Sequence, residues 1–198
     1  MSSREEILAR LRSNTRERFD MPDLSALKPI TYADPVAEFI RRTTTTAGAR
    51  VMEIGAADGL DDIVRSAYPD ARIIASNLPD VTAQLNPDTV ADARELMQAD
   101  VGVVEGRIGV AENACIWVPQ LTKEKAVCFA VQQLVIVLAR QDIVSNMHQA
   151  YARIEASAEY FQHYKFGTFI SGPSKTADIE SALVYGAQAA RGVTVVMR

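Results

Sequence analysis

The chain has 198 residues, a length typical of one globular domain with a short appendage. Apolar residues make up 48% of it and charged residues 23%, a balance that excludes an intrinsically disordered protein. The formal net charge of −4 provides no basic footprint for nucleic acid or for an acidic membrane surface. Two cysteines are too few for a disulfide framework or for a tetrahedral cysteine metal site.

Hydropathy and the N-terminal residues predict a cytoplasmic protein. The longest clean apolar runs, 126–131 and 134–139, are far shorter than the roughly 18 residues of a membrane-spanning helix. The N-terminal residues contain no apolar signal core, and they mix Glu5, Glu6 and Glu17 with arginines, unlike a transit peptide. We therefore expect no membrane segment.

Residues 1–35 predict a helical extension and a linker. Ile7 and Leu11 belong to a short apolar stripe among arginines, which indicates an exposed amphipathic helix. Because the stripe is narrow, we expect this helix to dock onto the domain or onto a second subunit, which leaves a homo-oligomer open. Prolines mark residues 20–35 as the linker, so the domain is expected to span residues 36–198.

Strands alternate with helices from residue 50 onward. Short runs rich in β-branched residues predict strands at 51–54, 72–75, 101–104, 108–111, 115–118, 127–131, 134–138, 168–170 and 193–197. Helices are predicted at 37–42, 63–67, 88–98, 142–156 with Asp142 as the cap, and from Ser174 to about Tyr185. This alternation predicts a three-layer α/β/α domain with a mostly parallel sheet, and the strand-rich middle predicts some antiparallel pairing.

The sharpest local feature is a turn between the strand at 168–170 and the helix predicted after it. Its candidate ligand-binding residues are Gly172, Pro173, Ser174, Lys175, Thr176 and Asp178. Glycine allows a tight turn, serine is a good helix N-cap, and the free amides of a first helical turn favour an anion. The segment predicts a site for a small anionic ligand, and a capped helix without a ligand is the alternative.

A second glycine-containing turn, Gly55 to Gly59, follows the strand at 51–54. This spacing resembles the first motif of the Rossmann-like methyltransferases that bind S-adenosylmethionine. Such enzymes place an acid after the next strand to hold the ribose hydroxyls, and this chain has Asn77 there. An S-adenosylmethionine-dependent methyltransferase is therefore an alternative function, and an ordinary strand–helix turn is the structural alternative.

Glu112 and Asn113 place a carboxylate beside an amide between two predicted strands. The pair is suited to acid–base work or to hydrogen bonding with a ligand, and a solvated turn is the alternative. The two histidines, His148 and His163, have no second ligand at helical spacing, so no metal site is predicted.

Two segments resemble the lactate-utilisation protein C group, also called the LUD domain or YkgG-like family. Residues 172–180 read Gly-Pro-Ser-Lys-Thr-Ala-Asp-Ile-Glu and resemble the family signature Gly-Pro-Ser-Arg-Thr-Ala-Asp-Ile-Glu. Residues 109–112 read Gly-Val-Ala-Glu and resemble the Gly-Ile-Ala-Glu of the family. The likeness covers residues 100–198 well and the front half loosely.

The resemblance implies a fold like that of the NagB/RpiA/CoA-transferase group. It implies an accessory subunit that works with iron–sulfur oxidoreductase partners to oxidise L-lactate, or a related 2-hydroxy acid, to pyruvate. It assigns no catalytic residue and no cofactor to this chain, so catalysis is left open. We expect the loop at 172–176 to bind an anionic group, with Glu112 and Asn113 across the crevice.

The chain departs from the family pattern where a ligand pocket is expected. Residues 113–115 replace the Thr-Gly-Thr of the family, and Gln133 and Leu134 replace its His-Ile pair. The His-Gly-Pro of the family is absent from residues 186–191. These departures favour a divergent member with an altered ligand, or a non-catalytic module that scaffolds partner subunits.

Overall fold

The computed structural model describes residues 3–15, 19–20, 22–23, 26–55, 58–157, 166–179 and 182–198. Its helices are α1 (Ser3–Asn14), α2 (Pro35–Arg42), α3 (Leu60–Ala67) and α4 (Met147–Ala156). Its strands are β1 (Arg50–Glu53), β2 (Ile74–Ala75), β3 (Val101–Glu105), β4 (Ile108–Val110), β5 (Cys115–Pro119), β6 (Gln133–Leu138), β7 (Ile143–Val144), β8 (Gly167–Ile170), β9 (Lys175–Ile179), β10 (Ala182–Tyr185) and β11 (Gly192–Met197).

Five parallel strands form the central sheet, in the order β1-β11-β6-β3-β2. Alternate side chains of β6 enter different cores: Leu134 and Ile136 lie in one, and Val135 and Val137 in the other. Burial of both faces explains why this strand is a continuous apolar run. The predicted α/β architecture with a mostly parallel sheet is confirmed.

Different elements cover the two faces of the central sheet. Helix α3 packs on one face through Leu60 and Val64. Helix α2, through Phe39, and β5, through Ile116, pack on the other face. The connection from β1 to β2 crosses the first face of the sheet. The later connections, from β2 to β3, β3 to β6 and β6 to β11, run in the opposite direction across the second face. Because the direction and the face both change, all these crossover connections have the same handedness.

A second sheet has the order β7-β4-β5-β8. Strand β5 pairs antiparallel with both β4 and β8, whereas β4 and β7 are parallel. One face of this sheet adds Ile116 and Val118 to the core on the central sheet, and the other face packs against Ala150 of α4. The antiparallel pairing predicted for the middle of the chain is therefore present.

Helix α1 forms as predicted, and none of its residues is buried. The linker is anchored at its far end: the Tyr32 N–H donates to Ser145 Oγ at 3.2 Å, and Asn146 Nδ2 donates to the Ile30 carbonyl at 2.7 Å. No helix among the described residues has the length and apolar composition needed to cross a bilayer.

The helix predicted from Asp142 begins later, at Met147. Asn146 is its N-cap, and the Asn146 side chain accepts from the Gln149 N–H at 3.0 Å. The preceding residues form β7 instead, because two buried β-branched side chains there pair with β4 in parallel.

Two predictions in the middle of the chain are also wrong. Residues 127–131 do not form a strand. Strands β3 and β6, which precede and follow this segment, pair directly with each other, so no strand can be inserted between them in the sheet. The chain instead makes a short 3₁₀ turn, Lys125–Cys128, over the sheet. The helix predicted at 88–98 is reduced to the 3₁₀ turn Ala93–Gln98, because a capping box of Asp92 and Glu95 starts it late.

The helix predicted after Ser174 is wrong as well. Strands β9 and β10 form an antiparallel hairpin there. The Ser174 N–H donates to the Ala190 carbonyl at 3.0 Å, and the Gly186 N–H donates to the Ser174 carbonyl at 2.9 Å. These bonds tie both ends of the segment together, so the chain must turn back on itself. Tertiary contacts thus override the helix-capping pattern.

Candidate functional site

Glu112 lies in the turn between β4 and β5, where it contacts the start of α4. Glu112 Oε1 accepts from the Met147 N–H at 2.7 Å, and the Glu112 N–H donates to the Ser145 carbonyl at 3.0 Å. Met147 is the first residue of the helix, and a carboxylate is favoured at the positive end of the helix dipole. This contact gives the Glu112 side chain a structural role in holding α4.

Helix α2 is tied to the same turn by an arginine. Arg42 Nη1 donates to the Glu112 carbonyl at 2.8 Å, and Arg42 Nε donates to Glu38 Oε1 at 2.6 Å. Hydrogen bonds from Arg41 and Arg42 lower the pKa of Glu38 to about 2. The ionised Glu38 keeps Arg42 in position, which connects α2 to the β4–β5 turn.

Asn113 joins the two segments that carry the family resemblance. Its Oδ1 accepts from the Cys115 N–H at 3.1 Å, and its carbonyl accepts from Ser171 Oγ at 2.8 Å. The β4–β5 turn therefore touches the start of the loop at 171–174 directly. We expected these segments to lie across a crevice from each other, and at Ser171 they are in direct contact.

The loop itself lies on the end of α2, which a π-helical turn, Thr43–Ala47, extends. Gly172 has a φ of +67°, and a Cβ there would lie 2.2 Å from the Ala47 carbonyl oxygen. Only glycine fits such a close approach in this backbone region. Pro173 is buried, and the Ser174 main chain is already hydrogen-bonded, as described above. With no helix following, the helical amides predicted to bind an anion are not there.

Lys175 supplies the positive charge at this place. Its Nζ donates to the Ala47 carbonyl at 2.6 Å and to the Thr46 carbonyl at 3.3 Å, at the negative end of the extended helix. An ammonium has three N–H donors, so the two contacts made within the described residues leave one donor for another acceptor. Thr176 and Asp178 follow in β9, and the Asp178 side chain lies outside the described part of the structure.

A groove of about 400 Å³ opens beside the loop. Its described lining residues are Cys128, Phe129, Leu134, Thr168, Phe169, Ile170, Gly172, Pro173, Ser174, Lys175, Gln188, Ala189, Ala190 and Val193. Lys175 is the one charged side chain among them. Four predicted site residues thus line the groove, whereas Glu112, Asn113 and Thr176 are not among its described lining residues.

Several groove residues were missed from the sequence. Phe129 and Thr168 carried no signal, because a single aromatic or hydroxyl side chain beside a strand is common. Gln188 and its neighbours occupy the position where the family resemblance places His-Gly-Pro. That position was the one sequence signal that could have indicated these residues as part of the groove. The Gln188 N–H lies 3.4 Å from Ser174 Oγ, which links this segment to the loop.

The Gly55 turn does not provide the methyltransferase site. The Gly55 N–H already donates to Asp58 Oδ2 at 3.0 Å, and Asn77 Nδ2 donates to Asp88 Oδ2 at 3.0 Å. More decisively, β1 and β2 lie at opposite edges of the five-stranded sheet, roughly 19 Å apart at about 4.8 Å per strand. The turn after β1 and Asn77 after β2 cannot hold one nucleoside between them. Residues 56 and 57 lie outside the described residues.

Neither thiol has the properties of a nucleophile. Burial raises the pKa of Cys115 and the pKa of Cys128 to about 12, so both thiols are neutral at physiological pH. Among the described residues, no group of three or more His, Cys, Asp and Glu side chains is arranged to hold a metal ion. His163 lies outside the described residues, and His148 is exposed.

These features define a class: an α/β protein with a mostly parallel central sheet and a groove beside a Gly-Pro-Ser loop. The LUD domain profile matches residues 36–197, and the chain belongs to the LUD domain family. No curated protein matches the chain. The fold is similar to the crystal structure of a DUF162 family protein from Deinococcus radiodurans. The TM-score is 0.64 at 16% identity, over 85% of this chain and 99% of that chain.

Proposed function

We propose that this LUD domain protein is a cytoplasmic accessory subunit in the oxidation of L-lactate, or a related 2-hydroxy acid, to pyruvate. Family membership supports this assignment. In this proposal, electrons pass to iron–sulfur partner proteins. Iron–sulfur clusters are usually held by four cysteine thiolates, and the chain has two cysteines, both with neutral buried thiols. We therefore assign the iron–sulfur clusters of this proposal to the partner proteins.

The ligand in this proposal is a small carboxylate bound in the groove beside Gly172. The single observation that carries it is the position of Lys175, the one charged group on the described groove lining. Its remaining N–H donor suits a carboxylate oxygen, and Ser174 Oγ and the Gln188 amide offer hydrogen bonds to a hydroxyl or oxo group.

The same lining favours binding over catalysis. Oxidation of a 2-hydroxy acid requires a base that removes the hydroxyl proton. The described groove residues include no carboxylate and no histidine, and the Cys128 thiol is neutral. We therefore assign this subunit the task of holding the carboxylate while the partner performs the redox step.

Isothermal titration of L-lactate and pyruvate tests the binding step. Lys175→Gln is expected to weaken binding at least tenfold, the effect of losing one charge-assisted hydrogen bond. Lys28→Gln, an exposed lysine in the linker, is the matched control and keeps the wild-type affinity. Equal affinities for Lys175→Gln and the wild type would contradict the proposed site.

A scaffolding function is the second candidate, and the exposed helix α1 favours it. Ile7 and Leu11 are 56% and 59% exposed, and they lie four residues apart on one helix face. Ile7→Glu combined with Leu11→Glu is expected to abolish co-purification with an iron–sulfur protein from lactate-grown cells. Lactate affinity should stay unchanged, because the helix buries no residue. Retained co-purification would reject this function for α1.

A further inference from the structure

A small cavity adjoins the groove. Its volume is about 30 Å³, close to the volume occupied by one water molecule in the liquid. Cys128, Phe129 and Thr168 line both the cavity and the groove, so the two spaces meet at these residues. Phe129, which lines both spaces, is 37% exposed and so lies at the protein surface.

Several of the polar side chains that line the cavity are already engaged with protein partners. Asn77 Nδ2 donates to Asp88, and the Glu105 carboxylate pairs with Arg198 at 3.0 Å and with Arg107. The Lys125 ammonium lies 4.1 Å from the centre of the Phe166 ring. A ligand group that enters the cavity therefore meets few polar atoms in need of a partner.

Most of the remaining described surface of the cavity is apolar. Val104, Val118, Leu121 and Val127 contribute aliphatic side chains to it. Cys128, with its raised thiol pKa, behaves as a small apolar side chain at the junction. The groove thus has the Lys175 ammonium on its lining and meets a mostly aliphatic cavity at Cys128, Phe129 and Thr168.

We infer that the groove and the cavity form one site for a carboxylate with a short aliphatic tail. This inference rests on the proposed function and deepens it by naming the substrate class. The carboxylate contacts Lys175, the chain passes Phe129, and the terminal carbons fill the cavity. Because the cavity holds about one or two methylene groups, the preferred ligands are unbranched 2-hydroxy acids longer than lactate.

The test is a titration series of L-lactate, 2-hydroxybutyrate, 2-hydroxyhexanoate and 2-hydroxyoctanoate against the full chain. Each methylene that leaves water contributes about 0.8 kcal/mol, so affinity should rise about fourfold per buried methylene. The gain should end when the cavity is full. Affinity that does not change with chain length, or that is highest for lactate, overturns the inference and leaves the proposed function intact.

Two variants of one cavity residue locate the tail. Val118→Ile adds one methylene to the cavity wall and should move the preferred acid to a shorter chain, whereas Val118→Ala should move it to a longer one. Val144→Ile and Val144→Ala, at a buried valine outside the cavity, should leave the length preference unchanged.

The outcomes separate the two proposals. A length preference that does not respond to Val118 places the tail elsewhere and overturns the inference. Failure of every acid to bind, lactate included, overturns the proposed carboxylate site and this inference together. If one Val118 variant does not fold, the other still moves the preferred length in its own direction.

Discussion

Two glycine-containing turns of this protein follow strands, yet their surroundings differ. At the turn after β1, the Gly55 N–H already donates a hydrogen bond to the Asp58 carboxylate. At the loop after β8, Gly172 lies against the end of the α2 extension, and the next residues line a groove. The difference shows that a glycine turn provides a ligand site only where donors remain that the protein does not use itself.

Electrostatics sharpen this contrast. Near the first turn, Glu53 pairs with Arg140 at 3.0 Å, so these two charges neutralise each other. Lys175 makes its described contacts with two carbonyl groups, which carry only partial charge. An incoming carboxylate can therefore pair with the full positive charge of Lys175 at the groove, whereas the turn after β1 offers it little electrostatic attraction.

The largest expected effect is on folding stability at Gly172. Gly172→Ala places a Cβ against the Ala47 carbonyl at a positive φ, and we expect a loss of about 3 kcal/mol. For a domain of this size that loss lowers Tm by about 6–12 °C in a thermal unfolding experiment.

Gly55→Ala is the matched substitution in the other turn. Its Cβ would meet the Asp58 carboxylate at 2.8 Å, and that side chain can move, so we expect less than about 1 kcal/mol. Equal losses of unfolding free energy for Gly172→Ala and Gly55→Ala would show that the tightly packed loop and the adjustable turn do not differ.

An intermediate effect is expected when the polar groups of the two regions are removed. Lys175→Met gives up two hydrogen bonds to the helix end and should lose about 1 kcal/mol in urea unfolding, together with carboxylate binding. Asp58→Ala gives up one exposed bond, should lose about 0.5 kcal/mol, and should leave binding unchanged. Loss of binding in Asp58→Ala would move the site to the first turn.

The smallest effect concerns acid stability on the groove side. The folded pKa of Glu38, about 2, is below the usual 4.5, so its ion pairs stabilise the fold fully above pH 4.5. This contribution is lost as the pH falls from 4.5 to 2. Urea midpoints of the wild type and Glu38→Gln should therefore converge over that range. A constant difference between them would show that Glu38 titrates normally.

The central sheet was predictable because its strands are buried on both faces. Residues 134–138 are a continuous apolar run, and residues 193–197 are apolar except for the buried Thr194. The failures occurred where local and tertiary signals conflict. Residues 175–185 follow a serine and carry early acids as a helix would, but bonds from Ser174 to the chain at 186–190 impose a hairpin.

The candidate site was predicted only in part. The signature pointed to Gly172, Ser174 and Lys175, which do line the groove. It did not indicate that the Lys175 ammonium contacts the end of α2, because that contact joins residues 128 positions apart. Contacts of that range depend on the assembled fold, which residue type and spacing do not encode.

The position of β1 has a consequence for how the chain folds. Among the described strands of the central sheet, β1 pairs with β11 alone, and Arg50 and Thr194 are 144 positions apart. During synthesis β1 stays unpaired until its partner strand, β11, has emerged from the ribosome. We expect folding to be slow because it depends on this long-range pairing. The other four strands of the central sheet should assemble first, and the unpaired β1 should be accessible to chaperones until it joins them.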